Sequence, residues 1–145
     1  MINIARLSAS QTSLLSLYEE NYRLFRLLLP ILPETDGWFV LEAKDSAPVY
    51  GHRLSIHSYT SEWLLGHHFP HKKRLFAPDF TIRIYHDARL AEAMLTETVA
   101  IKEMKLKKAQ LNRALAEWLT YCRRRQLVLN PKANIAHLPT IEALV

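Results

Sequence analysis

Residues 79–85, Asp-Phe-Thr-Ile-Arg-Ile-Tyr, alternate between apolar and polar side chains. Successive strand side chains point to opposite sides, so Phe80, Ile82 and Ile84 share one face and Thr81, Arg83 and Tyr85 the other. Such a segment needs a sheet to join and a layer to cover its apolar face. The strand runs directly into His86-Asp87, a titratable pair where a sheet presents side chains to solvent or to a ligand.

The rest of the chain supplies the partners for that strand. Ser8 or Ser10 is a candidate cap for a helix reaching about Leu29. Leu14, Leu17, Tyr18, Asn21, Leu24, Phe25 and Leu28 recur at three- and four-residue spacings and form one stripe. Pro30 and Pro33 end it, since proline cannot donate and restricts the residue before it. Asn21 is a polar amide on an otherwise apolar stripe, and a buried amide must find partners, for which a strand end or a loop carbonyl is the expectation.

After the turn signal Thr35-Asp36-Gly37, strands are expected at Trp38–Ala43, Val49–Ser58 and Glu62–Phe69. In the second, Leu54 and Ile56 are expected to face one way and Arg53, Ser55 and His57 the other. Pro70 to Pro78 reads as an exposed basic loop. Short connections between successive strands favour an antiparallel meander over crossover units. Beyond Ala88, the β-branched residues Thr96, Thr98, Val99 and Ile101 interrupt a helix-favouring stretch, which leaves Thr96–Lys102 open between helix and a short strand, with the strand favoured. A helix from Lys107 to about Arg125 follows, with Leu111, Leu115, Trp118, Leu119 and Cys122 as its stripe. Asn130-Pro131 stops regular structure.

The fold class expected is therefore α+β. A single domain over residues 1–130 would contain an N-terminal helix, an antiparallel sheet of three to five strands, and a long C-terminal helix packed on the sheet. Residues 131–145 would be a loosely attached tail. At 145 residues, with 49% hydrophobic and 23% charged residues, the chain can bury a core without staples. The single cysteine, Cys122, allows no intramolecular disulfide and fits a reducing, cytoplasmic setting. The N-terminal stretch carries only Arg6 before mixed polar residues, unlike a secretory signal. Leu24 to Leu32 is interrupted by Arg26 and Pro30, and no membrane partner is expected.

Three blocks resemble the YqiB-like family of uncharacterised proteobacterial proteins. The first is Asn21-Tyr22 followed by Leu27-Leu28-Leu29-Pro30. The second, and the most specific, is Ile82-Arg83-Ile84-Tyr85-His86-Asp87-Ala88 continued by Ala91-Glu92. The third is Lys108-Ala109-Gln110-Leu111-Asn112-Arg113 with Ala116-Glu117-Trp118-Leu119 and Cys122. The resemblance implies a cytosolic bacterial protein and supplies no activity. The chain departs from the family pattern between the second and third blocks, where Ala91 to Asn112 is shorter and contains no proline or tyrosine.

Arg83, Tyr85, His86 and Asp87 are the candidate ligand-binding residues. On a continued strand, Arg83, Tyr85 and Asp87 share a face at spacings of about 7 Å. A guanidinium beside a phenol and a carboxylate can hold a phosphate or carboxylate, and His86 can move a proton near neutral pH. The competing account is a strand-end network in which Arg83 pairs with Glu92 or Asp87. His67, His68, His71, His86 and Asp87 raise a metal site, against which stand spacings that match no ligand motif. No metal or other cofactor is expected.

Cys122 lies on a packed stripe, no Gly-x-Ser-x-Gly elbow exists, and three glycines offer no phosphate-cradling loop. These features favour a non-enzymatic binding or adaptor module over an enzyme. Its partner would be a protein, with a small anionic, nucleotide-like ligand as the alternative. Nucleic acid ranks third. It rests on the net charge of +5 and on three basic runs, His71-Lys72-Lys73-Arg74, Lys102 to Lys108 and Arg123-Arg124-Arg125. Trp38, Trp63 and Trp118 are core candidates, with an exposed Trp63 as the mark of an interface.

Overall fold

The computed structural model describes residues 2–34, 36–67, 78–136 and 138, with side chains from residue 14 onward. Helix α1 spans Ile2–Leu28. Five strands follow, β1 (Trp38–Glu42), β2 (Val49–Ile56), β3 (Thr60–His67), β4 (Asp79–Tyr85) and β5 (Leu90–Ala93), then helix α2 (Ile101–Arg124) and strand β6 (Val128–Leu129). The expected α+β architecture is present, with six strands among the described residues where three to five were expected. The sheet runs in the order β5-β4-β3-β2-β1-β6, and every neighbouring pair is antiparallel. No helix among the described residues is long and apolar enough to cross a membrane.

Both helices cover one face of the sheet. Leu24, Phe25 and Leu28 of α1, Leu29 just after it, and Leu115, Leu119 and Cys122 of α2 bury against Phe39, Leu41, Val49, Trp63, Leu65, Phe80, Ile82 and Ile84. All three tryptophans are buried, so Trp63 is no interface residue. At Gly51 the sheet is thin by necessity, because a Cβ there would lie 2.2 Å from Phe39 Cζ. The opposite face is divided in two. Over β1, β2 and the adjoining part of β3 it carries a second apolar cluster of Trp38, Val40, Tyr50 and Leu64, against which Ala133, Ile135 and Leu138 pack. Over β3–β5 it carries Glu62, Arg83, Tyr85 and Glu92.

Several boundaries differ from the sequence reading. Helix α1 begins at Ile2, so Ser8 and Ser10 lie within the helix and not at its start. Its end is closed by Arg26, whose Nη2 donates to Pro30 O at 2.8 Å and whose Nε donates to Leu29 O at 3.3 Å. In β2, a bulge between Arg53 and Ser55 leaves Leu54 without a partner. Arg53 and Ser55 therefore fall on opposite faces, against the expectation that they share one.

No strand forms over Thr96–Lys102. The strand there is β5, ending at Ala93, and α2 begins at Ile101. Ala91 and Ala93 are small because they pack in the core under the helices. Most of the basic segment Pro70 to Pro78 lies outside the described residues.

Candidate functional site

The strand register decides where the candidate residues go. Arg83 pairs with Glu62 of β3 on one side and with Glu92 of β5 on the other. Arg83 and Tyr85 stand on the outer face, as alternation requires. Arg83 Nη2 donates to Glu62 Oε1 at 3.3 Å. The Tyr85 hydroxyl, and secondarily Glu62, hold the Arg83 guanidinium above its ordinary pKa, so it stays charged.

Glu92 is the centre of this cluster. Its carboxylate is buried at 8% exposure, yet both oxygens are satisfied. Tyr85 donates its hydroxyl to Oε1 at 3.1 Å, and Tyr18 of α1 donates to Oε2 at 3.1 Å. Lys108 Nζ of α2 lies 3.7 Å from Oε2. One carboxylate thus ties α1, β4, β5 and α2 together at the sheet edge. Burial first, then the neighbouring Glu92 charge, pushes the Tyr18 hydroxyl well above the ordinary tyrosine range. Two cations, Arg83 and Lys108, face two carboxylates, Glu62 and Glu92. The cluster is charge-balanced and offers little net attraction for an anion.

His86 is taken away from Arg83 and Tyr85. It follows the strand's last residue, and its ring turns to the helix-covered side, where Nε2 lies 2.9 Å from Ser61 Oγ. Trp63 Nε1 donates to the same Oγ at 2.7 Å. A serine–imidazole contact at this distance has the geometry of an activated nucleophile. Ser61 is only 1% exposed, however, and its oxygen already accepts from Trp63. No substrate carbon can approach it, so the contact is a structural link between β3 and the β4–β5 turn.

Asp87 lies exposed in that turn, because the strand ends at Tyr85 and the alternation stops with it. The turn closes through Arg89 in the left-handed region at φ 56, which a non-glycine residue adopts at some cost. Of the four candidates, the structure brings Arg83 and Tyr85 together, holds His86 below them, and leaves Asp87 at the tip.

The tip has a neighbour that the sequence reading passed over. His86 N donates to Tyr59 O at 2.9 Å, joining the β4–β5 turn to the β2–β3 hairpin. Tyr59 is 65% exposed and Ile56 59%, and the bulged Leu54 is also exposed. The sheet end therefore presents an aromatic and two aliphatic side chains beside a charged turn. A tyrosine between Ser58 and Thr60 at a hairpin end was the available signal.

Two further reactive groups, Cys122 and His67, are closed. Burial pushes the Cys122 thiol up to about 12, which leaves it protonated at neutral pH. His67 is buried, its pKa is lowered by desolvation, and its Nδ1 accepts from Trp118 Nε1 at 3.1 Å. Its proposed companions His68 and His71 lie outside the described residues. Among the described residues no three of His, Cys, Asp and Glu stand together as a metal site.

Asn21 bonds neither a strand end nor a loop. Its Nδ2 donates to Asn112 O and Asn112 Oδ1, both at 3.3 Å, so its partner is the second helix. Neither a curated protein nor a solved structure matches the chain. A family model covers residues 23–127, which include both ends of the Glu62–Arg83–Glu92 row, and the chain belongs to that family, described as Protein of unknown function (DUF1249).

Proposed function

We propose that this chain is a non-enzymatic, cytoplasmic binding module for a protein partner, of the YqiB-like type. Its contact surface is the sheet end where Ile56 and Tyr59 meet the His86-Asp87 turn, with Arg83 and Tyr85 as the polar flank. The observation that carries the reading is the exposure of Ile56 and Tyr59 on a hairpin joined by a backbone hydrogen bond to the charged turn. An exposed aromatic among aliphatic groups with a charged rim is the composition of a protein-contact core.

The rival, a small anionic ligand held by Arg83, is disfavoured by Glu62 and Glu92 beside it. An anion would have to displace a carboxylate already paired with the guanidinium. The test is native-size analysis of the tagged protein in extracts of its own cells. The wild type is expected to migrate in a larger assembly, and an Ile56→Ser/Tyr59→Ser variant to collapse to the position of the purified chain. Wild-type protein running as the purified chain, or an assembly indifferent to those two substitutions, would overturn the reading. A thermal shift with nucleotides that is lost in Arg83→Ala would instead establish the rival.

A further inference from the structure

The start of α2 is built against its own local electrostatics. The positive end of a helix dipole favours carboxylates, yet the first two turns hold Lys102, Lys105 and Lys107 with Glu103 as the acidic residue of the first turn. The N-cap, Ala100, makes no side-chain capping hydrogen bond. None of these three lysines forms an ion pair with another described residue. Helix stability does not account for this choice of residues.

Two apolar side chains accompany them. Ile101 is 89% exposed and Leu106 61%, although both lie on a regular helix whose later turns bury Leu115, Trp118 and Leu119. At about 100° per residue, the three lysines span roughly 200° of the helix circumference, with Leu106 and the acidic Glu103 inside that arc. Ile101 projects at the helix end. A leucine within a lysine arc matches a surface whose exterior is anionic and whose interior is apolar, because lysine stems can lie along apolar matter while their ammonium groups reach for phosphate. A nucleic-acid backbone would use the charges and leave the leucine and isoleucine without a role.

We propose that the first two turns of α2 dock on the surface of an anionic phospholipid membrane. Lys102, Lys105 and Lys107 contact headgroup phosphates, and Leu106 and Ile101 enter the interface. The chain lies on the bilayer and does not span it. This surface lies on a helix, apart from the sheet end assigned to a protein partner, and stands or falls independently of it.

The test is co-sedimentation of the full chain with vesicles of phosphatidylcholine alone and of phosphatidylcholine mixed with phosphatidylglycerol. Binding is expected to the mixed vesicles only and to weaken as salt rises. Each lysine-to-alanine change is expected to lower partitioning roughly fivefold. Ile101→Ser/Leu106→Ser is expected to weaken it further with an unchanged melting curve. No sedimentation with mixed vesicles would overturn the proposal. So would binding that survives Ile101→Ser/Leu106→Ser and is competed by short duplex DNA, since the surface would then be a nucleic-acid one.

Discussion

Asn112 extends the sheet with its side chain. Its Oδ1 accepts from Ala93 N at 2.7 Å and its Nδ2 donates to Ala93 O at 3.2 Å, so one amide stands in for a neighbouring strand along the free edge of β5. The same Nδ2 reaches Lys108 O at 2.9 Å, and Asn21 of α1 donates to Asn112 from the other helix. An open edge is a template for pairing with another chain, and here a helix residue blunts it.

Replacing Asn112 should therefore be costly. Asn112→Ala removes both partners of Ala93 and leaves a buried backbone N–H and C=O without water. We expect a loss of about 2–4 kcal/mol in unfolding free energy by urea denaturation. A variant as stable as the wild type would mean that the amide bridge contributes nothing net.

The clasp around Glu92 predicts a specific dependence on alkaline pH. The Tyr18 hydroxyl titrates above its ordinary value of 10.0 in the folded chain. Its contribution is present in full below that value. As pH rises through it, the unfolded chain sheds the tyrosine proton while the folded chain keeps it, so unfolding becomes easier. Tyr18→Phe should be less stable at neutral pH by about 1 kcal/mol, for the lost hydrogen bond to Glu92. It should also lose stability less steeply than the wild type above pH 10. Parallel stability curves for the two proteins in that range would contradict the burial of this hydroxyl.

Cys122 offers a direct probe of the core. With no exposure and a thiol pushed up to about 12, it should resist thiol reagents in native buffer and react fully in denaturant. Rapid modification of the native chain, followed by absorbance of a disulfide reagent, would show that the α2 face is open.

The elements with strong periodicity were legible from the residues. The alternation in 79–85 placed Arg83 and Tyr85 on one face, and the leucine stripes placed both helices. What escaped was set by tertiary partners. The β-branched run Thr96, Thr98, Val99 suggests a strand by propensity, but it connects β5 to α2, and the true strand is four residues rich in alanine because helices crowd it. Strand β6 has two residues and follows Gln126 at φ 59, too little pattern to read.

At the candidate site, the turn length was the missing quantity. A four-residue turn at 86–89 sets Glu92 opposite Arg83 and ends the alternation before His86 and Asp87. Knowing it would have converted the suspected Arg83–Glu92 relation into a register. Tyr18 could not have been found this way, because its contact with Glu92 spans 74 residues of sequence.

The central claim is that the hairpin end carrying Tyr59 meets a protein partner. It is tested most directly by placing a photo-crosslinking amino acid at position 59 in living cells, with exposed Glu117 of α2 as the control position. The account predicts a discrete heavier species from position 59, absent from position 117 and abolished by Ile56→Asp. Identical crosslinking from the two positions, or none from position 59, would contradict it.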